Sequence, residues 1–384
     1  MASIDKTGTG TYRVRFRTPD GKSRSKSFKR RVDAEAFAAT VETSKLQGAY
    51  VDPRLGKTRF GDWASEFHAT RVNLRPSTRA RDDSYFRNLI LPEFADMSLT
   101  RIRPIDVQRW VADLVSAGYA PATVRKAHQL LSATFENAVT SDLIPRSPTR
   151  SIRLPRLERE EMRFLSPEEI EQLADAIDPR FRALVLTAGY TGLRIGELLG
   201  LKVDRLNMLR RQLRVEETLS EVSGHLALGP PKSRASRRTV AMPAFLVEEL
   251  AEHLARHRNT DGWVFPAPNG GPIRRTNFRR RKWLPALRAS VGEPLRFHDL
   301  RHSHAAMLIA QGVHPKVLQD RLGHASITTT LDTYGHLMTG LDEAAAASLD
   351  TARSSVGYME QVLQGSSADA VADIGAGTGA SVPG

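Results

Sequence analysis

The chain has 384 residues, of which 40% are hydrophobic and 26% charged, so it is long enough for two or three domains with cores of their own. It carries 56 lysines and arginines against 43 acidic residues, and the resulting net charge of +13 predicts a polyanionic partner. Cysteine is absent, which excludes disulfides, zinc–thiolate sites and thiol catalysis.

The N-terminal stretch MASIDKTGTGTYRV lacks the apolar segment of a signal peptide. No uninterrupted apolar run elsewhere approaches the ~20 residues of a membrane span. We therefore expect a soluble, intracellular protein, located in the bacterial cytoplasm and at the nucleoid when bound to DNA.

Residues 1–55 are predicted to form a small module of strands and one helix. Thr11–Arg17 alternates apolar and cationic side chains with the period of a strand, Pro19–Gly21 is a turn signal, and a second strand covers Ser23–Phe28. Val32–Leu46 has helical spacing. The module is therefore predicted to contain a small β-sheet and a helix.

This module is strongly basic. Between Tyr12 and Arg31 there are nine lysines and arginines and one acid, Asp20. A β-ribbon with its cations on one face would fit a DNA groove, whereas a solvated edge strand guarded by charge is the alternative that stays open. The predicted DNA-binding residues of the module are Arg13, Arg15, Arg17, Lys22, Arg24 and Lys26.

A linker rich in Gly and Pro, Gly48–Lys57, precedes an all-helical domain over residues 58–148. Its predicted helices are Phe60–Arg71, Ser77–Leu89, Pro104–Ala117 and Pro121–Ser141. Residues 149–162 then form a linker, because the surrounding stretch Ile144–Glu160 holds three prolines and five arginines. We expect this linker to touch DNA phosphates through Arg153 and Arg156, the alternative being a hinge without contacts.

The third domain is predicted over residues 163–353. It begins with a capping box at Ser166–Glu169 and continues with helices at 166–177 and 179–190. Strands are expected around Leu213–Thr218, His225–Leu228 and Arg238–Met242, and helices return from Ala244 and end with Leu341–Arg353. Residues 354–384 have little apolar material and are predicted to be disordered.

Six reactive side chains in the third domain stand in unusual local settings. Taken alone, each has an ordinary explanation: Arg194 could pair with Glu197, Lys232 could be a solvated loop lysine, and Tyr334 could be a packing residue. These explanations weaken because the residues occur together in one order along the chain, namely Arg194, Lys232, His298, Arg301, His324 and Tyr334.

Through the motifs TGLRIGE, HDLRHSHA and LGHASITTTLDTYGH the chain resembles the tyrosine recombinase, or phage integrase, family over about residues 165–340. The resemblance implies an α+β multidomain protein with an arm-binding module, a SAM-like helical core-binding domain and a mostly helical catalytic domain with a small antiparallel sheet. It also implies that the six residues are catalytic, and that the enzyme integrates and excises phage or mobile-element DNA.

The resemblance implies partners as well. Double-stranded DNA would be bound at core and arm attachment sites by a homotetramer. A host DNA-bending protein and a directionality factor are possible further partners. The C-terminal helix Leu341–Arg353 could dock on a neighbouring protomer or pack within its own chain.

Elementary chemistry supports these roles. A phosphodiester under attack becomes a dianion, which Arg194 and Arg301 could grip bidentately and His324 could stabilise with a further hydrogen bond. Tyr334 would be the nucleophile, with His298 as the proton acceptor, and Lys232 would protonate the departing 5′-oxygen. The 3′-phosphotyrosine keeps the energy of the broken bond, so no cofactor is expected, and no GxxxxGK[ST] loop occurs.

Other interpretations are open to test. His298 and His302 have the i, i+4 spacing of a zinc helix, but Arg301 between them opposes a dication. A DNA-binding architectural protein on the same scaffold, or a DNA-relaxing topoisomerase, would share the sequence features.

Between His324 and Tyr334, the run Ala325–Thr330 is predicted to be a connector that lets the tyrosine move.

Overall fold

The chain divides near residue 160 into two compact units. The computed structural model describes residues 2–18, 21–46, 55–157, 162–231, 233–338, 346–351 and 353. Within these ranges no helix is both long and apolar enough to cross a membrane. Helices with small antiparallel sheets confirm the predicted α+β class.

The first unit begins with a three-stranded antiparallel sheet in the order β1–β2–β3. Its elements are β1 (Ser3–Lys6), β2 (Tyr12–Arg17), β3 (Ser23–Phe28) and α1 (Arg31–Leu46). Val14 and Phe16 of β2 pack against Ala34 and Val41 of α1 to form a small core. The sequence did not predict β1, because Ile4 is its one apolar residue.

The cations of this sheet are divided between its two faces, so the prediction that they share one face is wrong. Lys26 pairs with Val14 and Arg24 with Phe16, which places both cations on the face that the helix covers. The Nζ atom of Lys26 lies 4.6 Å from the ring centre of Phe37. The exposed face carries the alternate residues of β2, Arg13, Arg15 and Arg17.

The rest of the first unit is helical, as predicted. Its helices are α2 (Phe60–Thr70), α3 (Pro76–Tyr85), α4 (Leu91–Phe94), α5 (Pro104–Ser116) and α6 (Pro121–Thr140). A π-helical turn, Phe86–Ile90, joins α3 to α4, so the predicted helix Ser77–Leu89 is interrupted. Trp63 and Trp110 are buried, and each indole N–H donates to a backbone carbonyl.

The proline-rich stretch after α6 has no regular element from Ile152 to Leu157, as predicted. It is not a free hinge there, because the backbone of Arg153 exchanges two hydrogen bonds with the Gln108 side chain of α5, at 2.9 and 3.1 Å. Arg125 donates to the carbonyl of Pro155 at 2.9 Å. Arg153 and Arg156 are exposed.

The second unit opens with the predicted capping box, in which Ser166 and Glu169 bond to each other's backbone N–H. Its first elements are α7 (Pro167–Ala176), α8 (Arg182–Thr191), α9 (Ile195–Leu199), β4 (Leu206–Asn207), β5 (Gln212–Val215), β6 (Thr218–Val222), β7 (His225–Gly229) and β8 (Arg238–Ala241). They are followed by α10 (Ala244–Arg256), α11 (Arg275–Phe278), α12 (Leu284–Ala289), α13 (Asp299–Ala310), α14 (Pro315–Leu322) and α15 (Ile327–Tyr334). Helix α8 is buried along most of its length and packs against α7, α10 and α13.

Three predictions in the second unit are wrong. The strand expected over Leu213–Thr218 is two strands, β5 and β6, because the chain leaves the sheet at Glu216 and Glu217. Strand β5 joins β4 and β8, whereas β6 pairs with β7 as a separate hairpin. The helix expected from residue 179 begins with a 3₁₀ turn, Pro179–Phe181, before α8.

The third wrong prediction concerns the connector Ala325–Thr330, because four of its six residues belong to α15. Ser326 caps this helix by accepting a hydrogen bond from the backbone N–H of Thr328. The predicted disordered tail 354–384, and the first part of the predicted final helix, lie outside the described residues. Residues 346–351 are helical.

Candidate active site

Arg301 of α13 lies at the centre of the site and is 2% exposed. Its guanidinium donates to the carbonyl of Gly192 and to the carbonyl of Leu322, each at 2.6 Å. Gly192 caps the C-terminus of α8, and Leu322 is the last residue of α14. Helix C-termini carry unpaired carbonyls and partial negative charge, so one buried cation joins two helix ends.

Two glycines make this meeting of helix ends possible. Gly192 and Gly323 both have left-handed backbones, with φ of +65° and +67°. A Cβ on Gly192 would lie 2.6 Å from Cδ2 of His304, and a Cβ on Gly323 would lie 3.1 Å from Cδ of Arg238. The conformation and the close packing each call for glycine at both positions.

Burial also affects the charge of Arg301 itself. Desolvation, with repulsion from Arg194, lowers the pKa of Arg301 to about 9. The guanidinium remains protonated at neutral pH. It is thus held as a cation inside the unit by carbonyl dipoles rather than by a directly bonded carboxylate.

Arg194 lies immediately before a helix and not within one. Helix α8 ends at its C-cap, Gly192, and Arg194 is the N-cap of the next helix, α9. Its guanidinium donates to Oε1 of Glu197 at 2.9 Å, and its backbone N–H donates to Oε2 at 3.0 Å. About a third of the Arg194 side chain remains exposed, which leaves part of the guanidinium accessible to a ligand.

Glu197 is the carboxylate that the arginines of the site share. Burial alone would raise the pKa of Glu197, but the guanidinium of Arg238, together with Arg194, brings that pKa below its ordinary value. Glu197 is therefore ionised at neutral pH. Its side chain is 3% exposed, and Arg238 donates to Oε2 at 3.0 Å.

A further arginine that sequence reasoning missed is Arg321 of α14. Its Nε donates to Nε2 of His304 at 2.9 Å, and its Nη2 donates to the carbonyls of Tyr190 and Ala241. His304 lies 3.1 Å from the Gly189 carbonyl through Nδ1. Because Nε2 accepts from Arg321, Nδ1 carries the proton and donates to Gly189.

Tyr334 is the last residue of α15 and is 1% exposed. Its hydroxyl lies 2.8 Å from Nδ1 of His302, so the two groups share a hydrogen bond. Burial raises the pKa of Tyr334 to about 12, against the opposing effect of Arg301 and Arg194. The phenol is therefore protonated at neutral pH, and its proton requires an acceptor before the oxygen can act as a nucleophile.

His298, the N-cap of α13, and His302 within α13 are one helical turn apart. His298 and His302 stack edge to face with ring centres 4.9 Å apart. Desolvation, helped by His302 and Arg301, lowers the pKa of His298 to about 4, and desolvation also lowers that of His302. Both rings are neutral at pH 7, but His302 is the one whose nitrogen reaches Tyr334.

His324 follows the left-handed Gly323 and precedes α15. Its Nδ1 lies 2.9 Å from the Thr330 hydroxyl, and Thr330 is fully buried. Desolvation and the neighbouring arginines, Arg301 first, lower the pKa of His324 to about 4. Because Thr330 occupies Nδ1 of the neutral His324 ring, Nε2 is the nitrogen that could bond to a ligand.

The structure thus brings five of the six predicted residues into one region of the second unit: Arg194, His298, Arg301, His324 and Tyr334. Lys232 lies outside the described residues. The predicted DNA contacts all lie in the first unit. Those that are exposed and off the covered face of the sheet are Arg13, Arg15, Arg17, Lys22, Arg153 and Arg156. Arg24 and Lys26 lie on the covered face of the sheet.

Three residues of the site were not predicted to take part: His302, Arg238 and Arg321. The motif HDLRHSHA contains His302, but its spacing from Tyr334 along the chain carries no signal. The double arginine at the start of β8, Arg237 and Arg238, was the available signal for Arg238. Arg321 stands just before the Leu-Gly-His motif and looks like an ordinary helix-surface cation.

Sequence comparison identifies two regions of the chain. Residues 163–340 match the phage integrase family, and residues 59–115 match the phage integrase N-terminal SAM-like domain. The chain is 29% identical over 357 residues to a prophage phiRv2 integrase of Mycobacterium tuberculosis, covering 90% of this chain and 94% of that protein. It is 27% identical over 325 residues to the ICEBs1 integrase of Bacillus subtilis, covering 80% and 88%.

Solved structures share the fold at lower identity. The Tn1549 transposon integrase in complex with transposon right end DNA superimposes with a TM-score of 0.67 at 21% identity, covering 77% of this chain and all of that one. A lambda integrase tetramer bound to a Holliday junction gives a TM-score of 0.58 at 20% identity, covering 86% and 94%.

Proposed function

We infer that this chain, which belongs to the phage integrase family of tyrosine recombinases, is a site-specific recombinase of phage or mobile-element DNA. It breaks and rejoins DNA strands. The observation that supports this most directly is the placement of the Tyr334 hydroxyl, hydrogen-bonded to His302, in the region that holds Arg301, Arg194 and His324.

In the proposed reaction the Tyr334 oxygen attacks the scissile phosphorus. The new bond makes a 3′-phosphotyrosine, and the bond from phosphorus to the 5′-oxygen breaks. Arg194 and Arg301 stabilise the added negative charge, and His324 donates a further hydrogen bond through Nε2. Lys232 protonates the leaving 5′-oxygen, which departs as a hydroxyl.

The proton of Tyr334 needs an acceptor, and there are two candidates, one at the N-cap of α13 and one within that helix. We predicted His298 from the sequence. The hydrogen bond at 2.8 Å makes His302 a second candidate, because its neutral Nδ1 is already placed to accept. Rejoining reverses the sequence: a 5′-hydroxyl attacks the phosphotyrosine, and the phenol regains its proton.

We propose a division of labour along the chain. Residues 1–55 bind arm sites, residues 58–148 bind the core site, residues 149–162 link them to the catalytic domain, and residues 163–353 carry out the chemistry. The exposed arginines Arg13, Arg15 and Arg17 are suited to phosphate contacts, as are Arg153 and Arg156.

Double-stranded DNA is the partner of this enzyme. Exchange between two duplexes needs two cleavages in each, so we propose that four protomers assemble on DNA. A lambda integrase tetramer bound to a Holliday junction, a protein of the same fold, supports that number. A host DNA-bending protein and a directionality factor are proposed as further partners, and the cytoplasm as the place of action.

A covalent-adduct assay tests the function. The probe is a nicked duplex that carries the direct repeat flanking the element that encodes the protein. Wild type should form a protein–DNA adduct, and Tyr334→Phe should bind the duplex with unchanged affinity but form none. An adduct with Tyr334→Phe would contradict the assignment of the nucleophile.

The same assay separates the other interpretations. A catalytically silent architectural protein would bind the duplex and give no adduct with wild type. A topoisomerase would relax supercoiled plasmids that lack the repeat, whereas a site-specific recombinase would require it.

A further inference from the structure

Arg238 opens β8, and its side chain is 6% exposed although the strand lies at the surface. The guanidinium makes three hydrogen bonds in three directions. Nη2 donates to Glu197 at 3.0 Å, Nε donates to the carbonyl of Arg321 at 2.6 Å, and Nη1 donates to the carbonyl of Ser236 at 3.1 Å. Almost no part of this side chain is left to meet solvent or DNA.

Each acceptor belongs to a segment that holds, contacts or adjoins a proposed catalytic group. Glu197 holds Arg194 through both its guanidinium and its backbone N–H. The Arg321 carbonyl directly precedes Leu322, whose own carbonyl accepts from Arg301. Ser236 ends the short turn that enters β8, on the chain segment that follows Lys232.

We propose that Arg238 is a positioning residue, which fixes Arg194, the end of α14 and the turn before β8 relative to one another. This inference rests on the proposed recombinase function and deepens it. Arg238 acts through Glu197 and the Arg321 carbonyl without touching the DNA itself.

The chemistry of the side chain explains why an arginine is needed. The guanidinium is a rigid planar fork that can serve three acceptors in fixed directions, whereas an ammonium is a point donor on a flexible stem. Packing fixes it further, since a Cβ on Gly323 would lie 3.1 Å from both Cδ and Nη1 of Arg238. A lysine would keep the charge near Glu197 but lose the fork.

Arg238→Lys tests the proposal in the full-length protein with the nicked duplex described above. At saturating DNA the rate of adduct formation should fall by about ten- to a hundredfold, because small misplacements of catalytic groups cost rate. The Kd for the same duplex, measured by anisotropy, should stay within about threefold of wild type. A rate equal to wild type, or a loss explained by Kd alone, would overturn the proposal.

A matched control is Arg256→Lys. Arg256 pairs with Glu252 at 2.9 Å, close to the length of the Arg238–Glu197 pair, but both side chains are exposed on α10. This variant should leave rate and Kd unchanged. If wild type itself gives no adduct, the proposed function fails. If wild type and the control react and Arg238→Lys reacts equally well, this inference alone fails.

A double-mutant cycle shows whether Arg238 acts through Glu197. Rates are compared for wild type, Arg238→Lys, Glu197→Gln and the double variant. Coupling predicts that the double variant loses less than the product of the two single losses, whereas a product would mean independent roles and contradict the proposal. Should Arg238→Lys fail to fold, as judged by thermal unfolding, Arg238→Gln enters the same cycle with a neutral donor.

Discussion

Nδ1 of His302 lies 2.8 Å from the hydroxyl of Tyr334. This hydrogen bond joins α13 to the last residue of α15. The phenol is buried, its pKa is raised to about 12, and the pKa of His302 is lowered by desolvation. Neutral imidazole beside protonated phenol is the arrangement from which a proton can pass to nitrogen as the oxygen attacks.

Replacement of His302 by alanine should therefore slow adduct formation by a factor of about 100, the low end of what a positioned proton acceptor contributes. The measurement is the single-turnover rate on the nicked duplex at saturating DNA. His298→Ala is the comparison variant, since His298 is the proton acceptor predicted from the sequence. A rate for His302→Ala equal to wild type would remove His302 from the chemistry.

A second prediction concerns pH and the stability of the second unit. Burial, with the charge of Arg321, lowers the pKa of His304 to about 3, so the folded protein keeps this ring neutral. The unfolded chain binds a proton there below about pH 6.5. The folded state must therefore lose stability as pH falls from 6.5 towards 3, and not as pH rises.

The slope for one such histidine is about 1.4 kcal/mol per pH unit. Urea denaturation of wild type at pH 7, 6 and 5 should show stability falling with pH, with His298, His324 and His253 adding to the slope through their own lowered pKa values. In His304→Gln the slope of unfolding free energy against pH should be smaller, by the amount that one titrating proton contributes. A parallel dependence in the variant would show that His304 titrates as freely in the folded state as in the unfolded chain.

Gly192 provides a third prediction. Gly192→Ala would force a side chain into a left-handed backbone and place its Cβ 2.6 Å from His304, with Leu322 at 3.0 Å. The expected loss is roughly 2 to 4 kcal/mol of stability, from backbone strain and overpacking together. Gly312→Ala is the matched control, because Gly312 has φ of +69° and a Cβ added there would have no other atom within 4 Å.

That control should lose only about 1 kcal/mol, the cost of the backbone conformation alone. Chemical denaturation measures both variants. Equal losses would mean that the contact with His304 relaxes at no cost.

A fourth prediction separates the two faces of the N-terminal sheet. Alanine at Arg13, Arg15 and Arg17 removes three exposed cations and should lower the slope of log K against log salt by about 2 to 3 for DNA that carries the arm site. Lys26→Met, on the covered face, should leave that slope unchanged and reduce stability by up to about 1 kcal/mol through loss of its contact with Phe37. Equal salt slopes for the triple variant and wild type would exclude these arginines from phosphate contact.

Removal of residues 1–55 extends the same prediction. The truncated protein should assemble poorly on a long attachment site but still cleave a core site, because the proposed active site lies wholly in the second unit. Recombination at the wild-type rate would contradict the arm-binding role.

The sequence predicted the parts of this molecule that depend on local pattern. The helices of the first unit follow apolar spacing and prolines at helix starts, and the motif around Tyr334 singled out this residue as the proposed nucleophile. The faces of β2 and β3 were harder, because the face of a cation depends on strand register and on which side a helix covers. For that reason Arg24 and Lys26 were predicted on the exposed face, whereas they lie on the face that the helix covers.

The supporting residues of the site could not be predicted in the same way. Arg238 is recognisable only once Glu197 and the Arg321 carbonyl are seen to converge on it, from segments 41 and 83 residues away along the chain. His302 likewise meets Tyr334 only because the fold brings α13 and α15 together. The connector was misassigned because threonine-rich runs are weak helix formers, and the cap at Ser326 was not recognised.

The arginines around Glu197 leave the second unit with a surplus of positive charge before any DNA is present. Arg194 and Arg238 bond to one carboxylate, while Arg301 and Arg321 rely on backbone carbonyls and a neutral histidine. Such a cluster is under mutual repulsion, which a phosphodiester bound there would relieve. If the site binds DNA as proposed, DNA stabilises the folded state by linkage, and the thermal unfolding temperature should rise when a core-site duplex is bound.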